Sequence, residues 1–282
     1  MAGVPPIMLS IAGSDPSGGA GVQADLKTAT ALGAYGAAVI TSLTVQNTRG
    51  VAGIHEVPAG FVADQARAVL DDLDVGAIKI GMLATAEIAD AVGLVLAEHP
   101  EIPVVLDPVM VATSGDRLVT AETTAVIIEK LLPAATLVTP NLGEAGTLLD
   151  TDPPKTPDEM VTAAIRLGEL GCSAALVKGG HLKGGLTGQL SGRHQVLVDV
   201  LADAEGIELI KGPLIDTFNT HGTGCTLSSA IASRLALGDQ LRDAVRAARS
   251  YLTGALRSGA DLRIGRGRGP VDHLWERPGE RR

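Results

Sequence analysis

The sequence predicts an α/β fold of three layers, in which helices cover both faces of a mostly parallel central sheet. Short apolar runs alternate with longer amphipathic segments along most of the chain, as in repeated βαβ units. The 282 residues are 45% hydrophobic, which is enough to form a large core. No linker-like change of composition occurs, so we predict one domain over residues 1–282, with flexible ends at about 1–6 and 274–282.

The strands are predicted from short apolar runs that are bounded by glycine, proline or polar residues. Residues 7–12 are a typical case, because such a run suits a strand that is buried on both faces. The predicted parallel strands are residues 7–12, 36–45, 77–80, 104–107, 136–139 and 174–178. Residues 194–200 and 207–210 are predicted to form an antiparallel pair, and residues 46–58 an irregular segment or a small β excursion.

The helices are predicted from apolar residues spaced three and four apart, together with their end signals. Thr85, for example, is a candidate N-cap, and Glu87 lies in the first turn after it. The predicted helices are residues 22–32, 59–73, 85–99, 120–132, 142–149, 157–170 and 241–257, and one that follows Cys225 and stops at Gly238. Residues 265–270 and the charged end are predicted to be a solvated tail.

One small-residue loop opens directly into a helix pattern, and it contains Gly222, Thr223, Gly224 and Cys225. The first turn of a helix has unpaired N–H groups and a partial positive charge, and glycine lets a ligand approach the backbone closely. We therefore predict an anion site here, with phosphate as its natural ligand. The helix end is also expected to lower the pKa of the Cys225 thiol. The alternative is a glycine-bearing turn with an ordinary buried cysteine.

Polar side chains and one methionine lie at or just after the ends of several predicted strands. They are Asp15, Gln46, Met82, Asp107, Asn141 and Lys178. In open parallel sheets ligands bind at the carboxyl ends of the strands. The sequence therefore predicts an active site at this edge of the sheet.

Several residues at this edge suit phosphate chemistry. Asp107 and Asn141, together with Glu144, offer oxygen ligands for Mg²⁺, which keeps several of its waters. They could equally be helix caps. Lys178 follows a strand and precedes two glycines, where an ammonium can contact a phosphate. The alternative for Lys178 is an ordinary surface lysine.

The first loop, residues 13–21, is rich in glycine but departs from two phosphate-loop patterns. Gly19 stands where a Walker loop needs lysine, and no acidic residue closes the second strand to hold a ribose. Gln46 stands there instead. Its side-chain amide suits the edge of an aminopyrimidine. The alternative is a turn residue whose side chain hydrogen-bonds its own backbone. Asp25 is a candidate polar contact of a small substrate, or a stabilising charge near the start of its helix.

Composition favours a cytoplasmic protein whose partners are small molecules. The formal net charge is −9 and no basic cluster occurs, which argues against nucleic acid. An anionic ligand would need local positive charge from lysine, backbone N–H groups and metal. Two cysteines suit a reducing compartment. We expect no signal peptide, and no membrane contact, because no run of 18 apolar residues occurs.

Seven segments carry a family likeness. They are IAGSDPSGGAGVQADLKT, TVQNTRGV, KIGML, VLDPVM, LVTPNLGEA, LVKGGH and NTHGTGCTLSSAIA. In content and order they resemble the hydroxymethylpyrimidine/phosphomethylpyrimidine kinases of thiamine biosynthesis, a branch of the ribokinase-like superfamily. The likeness extends from about residue 7 to residue 273.

The resemblance implies ATP- and Mg²⁺-dependent phosphorylation of 4-amino-5-hydroxymethyl-2-methylpyrimidine and then of its monophosphate, by a homodimer. It also implies residue roles. Gln46 would bind the pyrimidine near Ala20, Asp25, Met82 and Val109, and Gly222, Thr223, Gly224 and Cys225 would form the anion hole. Lys178 and Asn141 would contact ATP, and Glu144 and Asp107 the metal.

Two points stay open within this resemblance. Many ribokinase-like enzymes place an aspartate base at the position of Cys225. Here either a thiolate accepts the substrate proton, or the proton leaves late and Cys225 acts mainly through its backbone N–H. The alternative functions are a pyridoxal kinase and a non-catalytic nucleotide-binding protein of the same fold. Gln46, and Ala112 where some pyridoxal kinases carry a second cysteine, favour the pyrimidine as substrate.

Overall fold

In the computed structural model, nine strands of the described residues form one sheet in the order β3-β2-β1-β4-β5-β6-β7-β8-β9. The structure describes residues 5–110, 119–180 and 196–275. The strands are β1 Ile7–Ser14, β2 Tyr35–Asn47, β3 Gly50–Glu56, β4 Val75–Ile80, β5 Val104–Leu106, β6 Leu137–Val138, β7 Ala175–Val177, β8 Val196–Asp203 and β9 Gly206–Pro213. The helices are α1 Gly21–Ala31, α2 Ala59–Leu70, α3 Ala86–Glu98, α4 Ala121–Val126, α5 Leu142–Leu149, α6 Pro157–Glu169, α7 Thr223–Ala236 and α8 Leu241–Gly259.

The centre of the sheet is parallel, from β2 through β1, β4, β5 and β6 to β7. The outer pairings, β2 with β3, β7 with β8 and β8 with β9, are antiparallel. The parallel strands therefore bring their carboxyl ends to one edge, and that edge carries most of the predicted site residues.

Helices cover both faces of the sheet, so the predicted three-layer α/β fold is confirmed. One buried core joins the sheet to α2, α3, α5 and α6, and includes Ile80, Val92 and Met160. A second core joins the opposite face to α1, α7 and α8, and includes Met8, Ile231 and Val245. No helix among the described residues is both long enough and apolar enough to cross a membrane.

Of the two alternatives predicted for residues 46–58, the small β excursion is confirmed, because β2 runs on to Asn47 and pairs with β3 as a hairpin in which Gln46 lies opposite Val51. One helix differs from its predicted form. The predicted helix 120–132 is α4 followed by a π-helical turn, Ile127–Leu131. The wider turn lets Leu131 and Leu132 both be fully buried. Residues 194 and 195 of a predicted strand lie outside the described residues.

The prediction of a solvated tail at residues 265–270 is wrong. Asn219 Nδ2 donates to the carbonyls of Gly259 (2.7 Å) and Leu262 (2.8 Å) and so holds the chain as it leaves α8. Val271 is buried beyond it. Trp275, which we expected in a flexible end, packs against Tyr251 with ring centroids 6.1 Å apart. These contacts bring residues 265–270 back over the edge that carries the candidate site.

Candidate active site

A line of buried charges of alternating sign lies at the carboxyl ends of the parallel strands. We call it the charge row, and its members are Asp25, Lys79, Asp107, Lys178 and Glu144. At one end Lys79 Nζ lies 2.8 Å from Asp25 Oδ2, and both side chains are fully buried. Ser10 Oγ donates to the same Asp25 oxygen at 2.6 Å. The row therefore begins with an ion pair that has no access to water.

The sequence analysis did not identify Lys79 as a candidate functional residue. A lysine inside the apolar strand β4 could have indicated it, because a buried lysine needs a charged partner. Gly81 leaves room for it, because a Cβ there would lie 2.7 Å from Lys79 Nζ. Burial by itself would lower the pKa of Lys79, but the adjacent Asp25 raises it, so this side chain remains an ammonium. The interpretation of Asp25 as a charge in the first helical turn is wrong, since that turn of α1 holds no acidic residue.

Asp107 and Lys178 form the middle of the row. Asp107 Oδ1 accepts from Lys178 Nζ at 3.0 Å and from Thr139 Oγ1 at 3.3 Å, and Oδ2 accepts from Ser228 Oγ at 3.2 Å. Burial alone would raise the pKa of Asp107, but Lys178 and Lys79 hold it below its usual value. Lys178 has only 16% of its side chain exposed, which rules out an ordinary surface lysine.

Glu144 closes the row and also caps a helix. Its side chain accepts from Asn141 N at 2.7 Å, and Asn141 Oδ1 accepts from Glu144 N at 3.0 Å, so the two form a capping box at the start of α5. Burial raises the pKa of Glu144 to about 7 against the opposing charge of Lys178. The expected cap is therefore real, and it holds the Glu144 carboxyl beside the site.

Two of the three carboxylates of the row, Asp107 and Glu144, suit a magnesium ion that is held partly by substrate phosphates. Among the described residues, no three His, Cys, Asp or Glu side chains are grouped to hold a metal. Mg²⁺ commonly takes one or two carboxylates and completes its shell with waters and substrate phosphates. Asp107 and Glu144 suit that arrangement, because both lie beside Lys178 and still have free lone pairs.

The start of α7 faces the middle of the row. Gly222 has φ +79°, and a Cβ there would overlap the carbonyl oxygen of Gly19. A Cβ on Gly224 would lie 3.5 Å from both Asp107 Oδ2 and Lys178 Nζ. Unpaired N–H groups of the first helical turn and an ammonium therefore meet at one place, as a phosphate site requires.

Cys225 is half-buried beside this helix start, and its thiol behaves differently from the prediction. Burial raises the pKa of Cys225 to about 11, although Lys79 opposes the shift and the carboxylates of Asp25 and Asp107 add to it. The expected lowering by the helix end is wrong, because desolvation and these two negative charges outweigh it. At neutral pH the group is a thiol.

Asp15 ties the first glycine-rich loop to the helix start. It accepts from the backbone N–H of Ser17 at 2.9 Å and of Ala20 at 2.9 Å, and His221 Nε2 lies 2.7 Å from its Oδ2. Burial would raise the pKa of Asp15, but hydrogen bonds from His221 and Ser17 lower it below its usual value. Ala20, which the resemblance implied as a contact of the pyrimidine, is thereby held next to Gly222.

The remaining predicted contacts surround the same loop. Thr44 Oγ1 lies 2.8 Å from the Ser14 carbonyl and 3.0 Å from Gln46 Oε1, so it links β2 to the loop. Met82 packs so close to Gly13 that a Cβ there would lie 2.6 Å from Met82 Cε. Val109 follows Asp107, with its N–H 2.8 Å from the Asp107 carbonyl. Gln46, Met82 and Val109 are all half-buried, whereas Asp25 is fully buried beneath them.

A helix start with unpaired N–H groups, two lysines and three carboxylates at the edge of a three-layer αβα sheet are the arrangement expected of a small-molecule phosphotransferase of the ribokinase-like fold. Residues 15–272 match the family described as phosphomethylpyrimidine kinase. The chain belongs to this family, which confirms the resemblance stated from the motifs.

Three proteins illustrate the similarity. The hydroxymethylpyrimidine/phosphomethylpyrimidine kinase of Rhizobium meliloti is 49% identical over 268 residues, which cover 95% of this chain and 97% of that protein. The thiamine biosynthesis bifunctional protein ThiED of Geobacter sulfurreducens is 48% identical over 267 residues, 95% of this chain but only 52% of that protein. The pyridoxal kinase of Staphylococcus aureus, in complex with AMP-PCP and pyridoxal, superposes with a TM-score of 0.83 at 32% identity, covering 96% of this chain and 94% of that one.

The Lys79–Asp25 pair yields a stability prediction. Lys79→Met leaves the Asp25 carboxylate buried without its partner and should lower the free energy of unfolding by about 3–5 kcal/mol. The double variant Lys79→Met/Asp25→Asn removes both charges and should recover a large part of that loss. Urea denaturation measures both effects.

A matched control is Lys130→Met, because Lys130 pairs with Asp90 at the surface. An exposed pair contributes only about 0–1 kcal/mol, so this variant should be close to wild type. If Lys79→Met were as stable as Lys130→Met, Asp25 would not depend on Lys79 for its charge.

Proposed function

We propose that this protein transfers the γ-phosphoryl group of ATP to the hydroxymethyl group of 4-amino-5-hydroxymethyl-2-methylpyrimidine, and then phosphorylates the resulting monophosphate in thiamine diphosphate biosynthesis. The observation that carries the proposal is the start of α7, where a Cβ on Gly224 would lie 3.5 Å from both Asp107 Oδ2 and Lys178 Nζ. The names of its relatives support the pyrimidine substrate, and the AMP-PCP complex of the pyridoxal kinase supports the nucleotide. We place the reaction in the cytoplasm, where both free cysteines stay reduced.

The moving phosphoryl group would lie between the helix start and Lys178. The first-turn N–H groups of Gly224 and Cys225 point their positive ends at it, and the ammonium of Lys178 neutralises charge on its oxygens. Catalysis of phosphoryl transfer depends mainly on such positioning and charge stabilisation. Asp107 and Glu144 would hold Mg²⁺ against the phosphates, and the ion would supply further neutralisation of their charge. Asn141 would hold the Glu144 carboxyl in place through the capping box.

The acceptor would lie between β2 and the first loop. Gln46 can pair with a ring nitrogen and the exocyclic amine of the pyrimidine through its amide oxygen and NH₂ group. Ala20, Met82 and Val109 would contact the ring faces, which suits a chain with only 2% aromatic residues. The hydroxymethyl group would then point toward Cys225 and the helix start.

Purified protein, ATP, Mg²⁺ and three acceptors test the proposal directly. Hydroxymethylpyrimidine and its monophosphate should each be converted to a product with one more phosphate, whereas pyridoxal should react far more slowly. Pyridoxal is included because the fold alone does not separate the two activities, and because Ala112 lies outside the described residues. Conversion of pyridoxal alone, or of no acceptor, would refute the proposed substrate.

Gln46 should determine acceptor affinity. Gln46→Met preserves the size of the side chain but removes both hydrogen-bonding groups, so the KM for hydroxymethylpyrimidine should rise about 5–150-fold, equivalent to about 1–3 kcal/mol. Steady-state kinetics at saturating ATP measure this change. Gln240→Met is the control, since Gln240 is exposed before α8 and has no capping hydrogen bond. An unchanged KM in Gln46→Met would remove Gln46 from the acceptor site.

Cys225 is proposed as the base that accepts the hydroxyl proton, and its pKa of about 11 makes this testable. The thiol is protonated below that pH, so the thiolate fraction and therefore kcat should increase with pH through the neutral and alkaline range. Cys225→Ala should lose this dependence and about 10²–10⁴-fold in kcat. Cys225→Ser should behave like the alanine variant, because a serine hydroxyl is a still poorer base at these pH values.

Gly224→Val separates the backbone from the thiol. Its methyl groups extend past the Cβ position into the space before Asp107 and Lys178, so ATP affinity should fall as well as kcat. Cys225→Ala leaves that space open and should bind ATP normally. A pH profile in Cys225→Ala that matches wild type would show that the base lies elsewhere.

We also propose that two copies of the chain associate through the β2–β3 hairpin. Leu43 and Val45 lie on one face of β2 and are 47% and 69% exposed. Their partners across the hairpin are His55 and Gly53, so the apolar face is not covered from within the chain. An exposed apolar face of this kind suits a symmetric contact between identical subunits.

Val45→Glu should therefore convert a dimer to a monomer, because two glutamates would meet across the symmetric contact. Sedimentation velocity of the wild type and the variant measures this. Phe61→Glu is the control, since Phe61 is 61% exposed on α2 rather than on the hairpin. A wild-type protein that sediments as a monomer would contradict the proposal.

A further inference from the structure

Three arginines lie where the glycine-rich segment 265–269 crosses the tip of the β2–β3 hairpin. They are Arg49, Arg266 and Arg268, and we call them the arginine rim. All three are exposed. A Cβ on Gly267 would lie 2.8 Å from the backbone nitrogen of Arg49, which puts the two chain segments in direct contact.

The glycines of this segment press its backbone against the protein and leave the arginine side chains outside. Gly265 has φ +78°, and a Cβ there would overlap Thr48. A Cβ on Gly267 would overlap the Thr48 carbonyl, and one on Gly269 would overlap the Asn219 side chain. Glycine at positions 265, 267 and 269 is therefore a requirement of the packing, whereas the side chains of Arg266 and Arg268 between them stay exposed.

Hydrogen bonds anchor the segment to both halves of the candidate site. Thr48 Oγ1 accepts from the N–H groups of Arg266 (3.2 Å) and Gly267 (3.0 Å), and Thr48 is two residues beyond Gln46 on the acceptor side. At the other end the Gly269 carbonyl accepts from His221 N at 3.0 Å, next to the phosphate-binding helix start. The rim thus spans the distance between the acceptor pocket and the anion hole.

The rim carries positive charge without a counter-ion. Within the described ranges, no carboxylate lies within 4.0 Å of these three guanidinium groups, whereas Arg67 is paired with Glu98 and Arg246 with Glu208. Arg268 lies 5.9 Å from the centre of the exposed Phe218 ring, which holds it toward the helix start. Three uncompensated arginines in a chain of net charge −9 indicate an anionic ligand, and guanidinium matches phosphate geometry.

We propose that the arginine rim binds the phosphate monoester of the acceptor during the second transfer, an inference that rests on the proposed function. In the first transfer the acceptor is uncharged. In the second, an oxygen of its phosphate forms a bond to the γ-phosphorus of ATP, and the bond from that phosphorus to the β–γ bridging oxygen breaks, so ADP leaves. The other oxygens of the acceptor phosphate need cations, and Lys178 is already engaged by Asp107 and the nucleotide phosphates.

The test compares the KM values of the two acceptors at saturating ATP. In Arg266→Gln/Arg268→Gln the KM for the monophosphate should rise at least about tenfold, while that for hydroxymethylpyrimidine stays within about twofold. Arg49→Gln should give a smaller rise with the same selectivity. Arg266→Lys/Arg268→Lys should keep much of the affinity because the charge remains, and Arg67→Gln is the matched control for loss of one surface charge on α2.

Several results would overturn the inference. An equal rise for both acceptors would mean that the segment only shapes the pocket, and a rise confined to the KM for ATP would mean that the rim serves the nucleotide. No change for either acceptor would also reject it. Should the wild type phosphorylate neither acceptor, the proposed function fails. Calorimetric binding of the monophosphate to wild type and the double variant then tests the rim by itself, and equal or absent binding rejects it.

Discussion

The buried pairing of Lys79 with Asp25, and of Lys178 with Asp107, constrains how the parallel strands and their helices can pack. A charge taken out of water is strongly destabilising unless an opposite charge meets it in good geometry. Lys79 comes from β4, Asp25 from α1 and Asp107 from the end of β5, so satisfying these charges sets the position of three elements at once. The result is a line of alternating charge beneath the helix start, prepared before any ligand arrives.

Under the proposed function, this line also explains how an acidic protein can attract a nucleotide. Its net charge of −9 repels phosphate at long range, so the attraction has to be local. Buried ammonium groups and unpaired N–H groups of α7 provide it, and low surrounding polarity strengthens their effect. The same burial keeps the Cys225 thiol protonated, so the site favours stabilisation of charge on the phosphate over a ready thiolate.

Under the proposed function, acceptor choice is decided at a different place from phosphoryl transfer. The superposition with a pyridoxal kinase at a TM-score of 0.83 means that the shared fold is compatible with more than one acceptor. Asp15 and His221 join the first glycine-rich loop to the start of α7. Gln46 and the arginine rim belong instead to the β2–β3 hairpin and to the segment that packs on it. Changes at the hairpin and this segment would alter the acceptor without disturbing the charge row, in keeping with the rule that one fold can host several functions.

The sequence by itself determined the αβα class and the sheet edge at which the strand-end residues meet, and it predicted a phosphate site at the start of α7. These follow from local patterns, because strand and helix periods and strand-end residues are readable over short windows. Only the tertiary structure decided that Lys79 pairs with Asp25, that Cys225 has a raised pKa, and that residues 265–270 pack on the β2–β3 hairpin instead of forming a solvated tail. Those features depend on burial and on partners distant in the chain, such as Arg266 and Thr48, which no local pattern specifies.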